Sequence, residues 1–487
     1  MKQKASLNSM LLAGARLFAT VSSLLITMIL TKTLDLSVNG TYSQCLTIIS
    51  VGLSINSLGL MDGGNYFFVK AESRQEKQTY IDALLFLVYL SGLIMAAGLI
   101  LLRSPISTYF SNPALKDLLW LIAFRPMLAS LINVLNVLYI ATDRAKQVVL
   151  RNAEISLVHL VIVVVTAFTT KNATMILLLY LIAEIVTDAL MLFSFVRSGF
   201  SIRPRLPSKE ILCGILKYCL PMAAYIAMNS LFRDSDKLII GRFESTEMQA
   251  IYSNCAKILP LDVISSAFCT ILVPKMTQCL SRNQPENAAR IFANYLKIGL
   301  LSTATFALAV ALCPDQAIFF LYSADYLKGK NVFVLYNLVE LIKFANVTIV
   351  ISAVGRAKTL MMISAVALGA NLLISLALYE WLGFIGPAVG TVIVTMLTVI
   401  ALLTVSTKIL RVSFLKILDL KFVGGYVLKA GASALVCLLL KKVLINAAMN
   451  QYFVLFAVCG LFCLLMLAIN LRQLKRCLLQ IDRNQED

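Results

Sequence analysis

Six basic side chains fall inside long apolar stretches where a lipid-facing chain should carry none: Arg16, Arg125, Arg233, Lys257, Lys343 and Lys429. A charge at the centre of a bilayer costs roughly 2.5–3.5 kcal/mol on insertion scales, so each needs a partner, a cavity or a task. The task open to such a set is holding an anion. Guanidinium forks and ammonium point charges suit a diphosphate where water is thin. Arg16 and Arg125 have no carboxylate at i±3 or i±4, which favours cargo binding for both. Arg16 lies about 14 Å into its stretch at 1.5 Å per residue. Lys257 precedes Pro260, and a proline there frees backbone groups that must face protein or water. Lys343 follows Glu340 by three residues, which equally suits a local ion pair. Arg233 stands beside Asp234 and Asp236 and is expected to pair with them or to snorkel, as is Lys429 to snorkel.

The acidic candidates are fewer. Glu184 and Asp188 are four apart, hence about 6 Å from each other on one helix face. Two bare carboxylates so placed would repel, so one should hold a proton or share a cation. Glu154 and the sole histidine, His159, lie on the preceding stretch. One expectation is a proton or sodium relay through these four residues. The other is pairing of the acids with Arg16 or Arg125 across helices.

Around these residues the chain is written for lipid. Of 487 residues 59% are hydrophobic and 14% charged, against about 25% charged in soluble domains. The net charge of +18 does not point to nucleic acid, because most Lys and Arg sit in short connections between apolar stretches. Eleven cysteines are scattered, with no CxxC and no Cys/His cluster, so neither a metal centre nor a cofactor beyond a coupling ion is expected, and no catalytic group is assigned.

Apolar windows predict an all-α integral membrane protein of about fourteen spanning helices. They fall near 7–31, 40–61, 80–102, 116–140, 149–170, 173–196, 211–235, 249–274, 291–314, 331–352, 359–380, 384–407, 422–444 and 451–471. The first stretch is long enough to span and does not read as a cleavable leader. With both termini cytoplasmic, the basic residues gather in the inner connections, among them Lys70, Arg74, Arg144, Lys146, Arg203, Arg205, Arg356 and Lys358.

The chain also repeats itself. Tyr42-Ser43-Gln44-Cys45 returns as Tyr252-Ser253-Asn254-Cys255, and Ala141 to Lys146 returns as Ala353 to Lys358, at shifts of 210 and 212. Six helices per copy keep the copies parallel across the membrane. The expected organisation is a six-helix lobe over 1–200, a second over 201–410, the two forming a V, and a final helix pair with the tail over 411–487.

An ordered set of short motifs carries a resemblance. It runs through Gly40-Thr-Tyr42, Tyr218-Cys-Leu-Pro221, Asp236-Lys-Leu-Ile-Ile-Gly241, Ile251-Tyr252, Leu272-Val-Pro274, Gly355-Arg-Ala-Lys358 and Leu382 to Gly390. Over almost its whole length the chain resembles the polysaccharide transporters of the multidrug/oligosaccharidyl-lipid/polysaccharide exporter superfamily. Within it the likeness is to O-antigen flippases (Wzx-type translocases). Asn39-Gly40 stands where relatives often carry Tyr-Gly. The resemblance implies transfer of undecaprenyl-diphosphate-linked oligosaccharide across the inner membrane for O-antigen and lipopolysaccharide assembly, alongside polysaccharide polymerase machinery. A multidrug exporter of the same fold would favour acids in its cleft. An O-antigen ligase or polymerase would need a large loop with acid or base groups.

Overall fold

The computed structural model describes residues 2–142, 144–197, 199–257, 259 and 263–483, and every regular element among them is helical. Contacts gather the chain into two compact units, 1–253 and 254–487. The first unit opens with α1 (Lys2–Thr33), α2 (Leu36–Asn56), α3 (Leu60–Lys70) and α4 (Arg74–Leu101). It continues through α5 (Arg103–Tyr109), α6 (Leu115–Ile122), α7 (Arg125–Ala141), α8 (Ala145–Thr169) and α9 (Ala173–Val196). The 35-residue α10 (Lys209–Phe243) and α11 (Thr246–Cys255) follow, α11 ending just across the boundary.

Local chemistry sets these boundaries. Ser73 caps α4 by accepting from the Glu76 amide at 3.1 Å, and the Glu76 carboxylate accepts from the Ser73 amide in return. The Asn172 side chain caps α9 at the Thr174 amide, 2.8 Å away. Between α2 and α3 the chain turns on Leu58 and Gly59, both with positive φ, and between α6 and α7 it breaks just before Pro126. A proline in the first turn of a helix costs nothing there, since that N–H has no helical partner. The Pro126 carbonyl accepts from Asn56 Nδ2 at 3.1 Å, and the same amide nitrogen reaches Ser130 Oγ at 3.0 Å. Asn56 thus stitches the end of α2 to the start of α7.

Gly40 accounts for the Gly-x-Tyr motif: a Cβ there would collide with the backbone carbonyl of Thr246, so α2 lies directly on the start of α11. The apolar contacts of this unit form two clusters. One holds Cys45, Leu115, Leu119, Ile122, Ala123 and Ile176. The other holds Leu84, Leu131, Leu135, Phe195, Ile215 and Cys219. Arg125 falls in the chain between Ala123 of the first and Leu131 of the second, at the seam of the two.

The second unit contains α12 (Val263–Ser281) and α13 (Pro285–Gly299), which runs through a π-turn (Leu300–Ala304) into α14 (Thr305–Leu312). Then come α15 (Pro314–Leu321), α16 (Lys330–Ile342), α17 (Ile349–Ala353) and the α18 (Ala357–Leu382)/α19 (Gly386–Leu410) hairpin. Gly383 makes that hairpin turn at φ +60°, where a side chain would be strained. After α20 (Phe414–Leu418), helices α21 (Leu420–Asn446) and α22 (Gln451–Arg483) pack together. A 2.6 Å ion pair from Lys297 to Asp419 fastens the entry of α21 to α13. Lys429, expected to snorkel, instead donates to Asn470 Oδ1 at 3.0 Å and to Gln473 Oε1 at 3.4 Å on α22.

Nine segments among the described residues are long and apolar enough to cross a membrane, one of them the whole α18/α19 hairpin. Their composition leaves lipid as the solvent of most of the surface. Helix α9 coincides with the expected 173–196, whereas the windows 40–61, 116–140, 249–274 and 331–352 each hold parts of two helices.

Candidate functional site

Two polar constellations lie inside the first unit, and each is centred on an arginine. The first is buried. Arg125 opens α7 and reaches Glu184 in the middle of α9, Nε to Oε2 at 2.9 Å, with a second short bond from Nη2 to Oε1. Side-chain exposures are 9% and 14%, so this is a bidentate pair with little access to water. Four residues before Glu184, Tyr180 places its ring 5.5 Å beneath the guanidinium. His159 of α8 stacks on that ring at 4.1 Å, its Nε2 4.0 Å from Glu184 Oε1. The buried Tyr42 side chain lies beside Tyr180, which brings α2 into the group.

Two donors in this cluster are unspent. Arg125 Nη1 and His159 Nε2 are both buried without a hydrogen-bond partner. One turn beyond Glu184, both carboxylate oxygens of Asp188 are also buried and unpartnered. Glu184 and Asp188 share a helix face as expected, but Glu184 is neutralised by Arg125 and Asp188 is not. Glu154 is drawn away from His159: it pairs at 2.7 Å with Arg151, in a more exposed part of α8. Of the four acid and histidine candidates, the structure therefore brings together Glu184, His159 and Asp188 and leaves Glu154 out.

The second constellation surrounds a cavity of about 390 Å³ between α2, α7 and α10. Its polar lining includes Ser54, Ser57, Ser130, Asn133, Asn229, Ser230 and Arg233, and Arg233 is the one charged residue among those described on it. The guanidinium donates from Nη2 to Ser230 Oγ at 3.0 Å. The expected pairing of Arg233 with its acidic neighbours is corrected here. Asp234 accepts instead from Lys237 Nζ at 2.7 Å and from Ser50 Oγ at 2.6 Å, and Asp236 from the Tyr252 hydroxyl at 3.1 Å. Being adjacent in sequence, Asp234 leaves α10 about 100° away from Arg233, and Asp236 lies three residues on; each finds a nearer donor.

The cavity's hydroxyl and amide groups were not singled out by the sequence. A signal existed: Ser50, Ser54 and Ser57 recur at i, i+4 and i+7 along α2, a polar stripe in an otherwise apolar helix. A second polar device joins α2 to the neighbouring elements. Gln44 Nε2 donates to Gln249 Oε1 at 2.8 Å, and Asn112 Nδ2 donates to Gln44 Oε1 at 2.6 Å. This gives the repeated Tyr-Ser-Gln-Cys tetrad a concrete role as a latch.

The remaining candidates lie elsewhere. Arg16 falls on α1, and its side chain is outside the described residues. Lys257 is half-buried in the break after α11, and Pro260 is outside the described residues. Lys343 closes α16 and is exposed, one turn after the buried Glu340. Both lysines belong to the second unit.

Solved structures share this helical architecture. The chain resembles the lipid II flippase MurJ in its inward closed conformation, with a TM-score of 0.73, 14% identity, and 94% of this chain and 98% of that one covered. It also resembles an inward-facing multidrug resistance MATE family transporter of the MOP superfamily (TM-score 0.64, 13% identity, 81% and 94% covered). A third is a MOP superfamily transporter from Pyrococcus furiosus described as having a binding pocket of reverse polarity (TM-score 0.59, 14% identity, 83% and 94% covered). At these identities the likeness defines the fold. Sequence goes further: residues 29–330 match the polysaccharide biosynthesis protein family, and the protein belongs to it. No curated protein matches the chain significantly in sequence.

Proposed function

We propose that the protein flips a polyprenyl-diphosphate-linked oligosaccharide across the inner membrane, delivering O-antigen or related polysaccharide units to polymerase machinery. The observation that carries this reading is the cavity between α2, α7 and α10, lined by hydroxyls and amides with Arg233 as the one charge among its described residues. Hydroxyls and amides are the groups that bond sugar hydroxyls, and a guanidinium suits a diphosphate. Membership of a polysaccharide biosynthesis family agrees with a glycan cargo.

In this reading both termini are cytoplasmic, two parallel six-helix lobes rock about the cargo, and the final helix pair stands outside them. Asp188 is the coupling candidate, since its oxygens alone among the clustered acids are unpartnered and can take a proton or sodium. The Arg125–Glu184 pair holds the first lobe together, with His159 beside it. A diphosphate leaving a negative interior moves downhill by about 2.3 kcal/mol per charge per 100 mV, so export gains from the potential alone.

Proteoliposomes at clamped potential test the reading with a fluorescent lipid-linked sugar. Flipping should slow when the interior is made positive, and indifference to voltage counts against a charged cargo. Asp188→Asn should abolish any dependence on an ion gradient while leaving the voltage response. Full gradient dependence in that variant would remove Asp188 from the coupling step.

A further inference from the structure

We infer that Tyr66 and Tyr218 form a stacking site for a sugar ring of the diphosphate-linked cargo, at the opposite end of the α10 face that carries Arg233. This rests on the function proposed above and adds a recognition element to it.

The two rings lie face to face, with centroids 4.4 Å apart and planes within 15°. Phe67 meets Tyr218 edge-on at 5.6 Å and stacks on Tyr80 at 5.1 Å, so the pair is buttressed from behind. Despite this support both tyrosines are open: Tyr66 is 43% exposed and Tyr218 40%. Lys70 Nζ stands 5.8 Å from the centre of the Tyr66 ring, and the exposed Lys217 precedes Tyr218.

Register along α10 links this pair to the cavity. Tyr218, Tyr225, Asn229 and Arg233 are separated by 7, 4 and 4 residues, which at 100° per residue keeps all four within an arc of about 80°. Tyr225, Asn229 and Arg233 line the cavity. Tyr218 extends that stripe by two turns, about 22 Å from Arg233 along the axis.

Pyranose rings present an apolar C–H face that stacks on an aromatic ring while their hydroxyls bond elsewhere. A flat ring pair beside an ammonium, continuing into hydroxyls, amides and a guanidinium, matches a sugar joined to a diphosphate. Interfacial tyrosines that merely mark the membrane boundary need neither a face-to-face partner nor a place on a polar helix stripe.

The test uses the full-length protein in detergent and two probes: citronellyl diphosphate and a citronellyl-diphospho-oligosaccharide whose glycan is long enough to span the ~22 Å from Arg233 to Tyr218. Wild-type protein should bind both, the sugar-bearing probe more tightly. Tyr66→Leu and Tyr218→Leu should each weaken the sugar-bearing probe by about tenfold and leave the plain diphosphate within about twofold. Tyr218→Phe should keep wild-type preference, and Arg233→Gln should weaken both probes alike. Leucine variants that bind both probes as wild type does, or lose both equally, overturn the stacking site and leave the flippase reading standing. Binding of neither probe by the wild type overturns the flippase reading itself. Should a leucine variant not fold, saturation-transfer NMR on the wild type decides: irradiating aromatic protons should mark one face of the sugar ring, and silence there overturns the inference.

Discussion

The two arginines of the first unit make opposite use of one side chain. Arg125 sits in a nearly dry seam, clasped by both oxygens of Glu184 and floored by Tyr180. Arg233 sits on a cavity wall, held by one serine hydroxyl, while the acids next to it in sequence serve other donors. A buried pair of this kind contributes little net stability over well-packed apolar residues, yet breaking it is severe because one charge is stranded. An unclasped guanidinium on a cavity contributes little to folding and is available to an anion. The difference between them is the difference between a rivet and a hand.

The largest expected effect tests the rivet. Arg125→Met strands Glu184 and should cost about 3–5 kcal/mol of stability, read as a large drop in melting temperature in detergent. The Arg125→Met, Glu184→Met double variant should recover most of that loss. If the single variant melts like wild type while binding no diphosphate, Arg125 belongs with Arg233 and the contrast fails. Next comes Arg233→Gln. Removing one charge-assisted contact of about 1.5–3 kcal/mol should lower flipping tenfold or more, with lipid-linked repeat units accumulating in the inner leaflet and melting unchanged. A variant that melts early but transports at the wild-type rate per folded molecule would make Arg233 structural. The smallest effect belongs to the stitch between the two regions. Asn56→Ala deprives the Pro126 carbonyl and Ser130 of their shared donor and should cost about 1–3 kcal/mol, measurable by melting and sparing the probe affinities.

How much of this could be read in the sequence follows from the range of each interaction. Helix α9 coincides with its window because a long, mostly apolar run starts at a capping asparagine. The 40–61 window was read as one helix, whereas the chain ends α2 at Asn56 and restarts at Leu60. Hydropathy continues through Leu58 and Gly59, so only their backbone angles reveal the turn. The Arg125–Glu184 pair spans 59 residues, beyond any i±4 search, although pairing across helices was one of the expected outcomes. Serine scores near neutral in hydropathy and the few asparagines are averaged out by apolar neighbours, so the cavity lining left no mark on the windows. Its periodicity along α2 was visible, but periodicity of small polar groups says which face they share and not whether that face meets a void.

Pro221, lodged within α10, has a mechanical consequence. Lacking an N–H, it leaves the Lys217 carbonyl without its rung in the helical ladder, one residue from the stacked tyrosine and about four turns short of Arg233. A rod with one rung missing flexes at that spot and stays stiff on either side. The helix is therefore two levers on a shared pivot, one ending at the tyrosine pair and the other carrying Arg233.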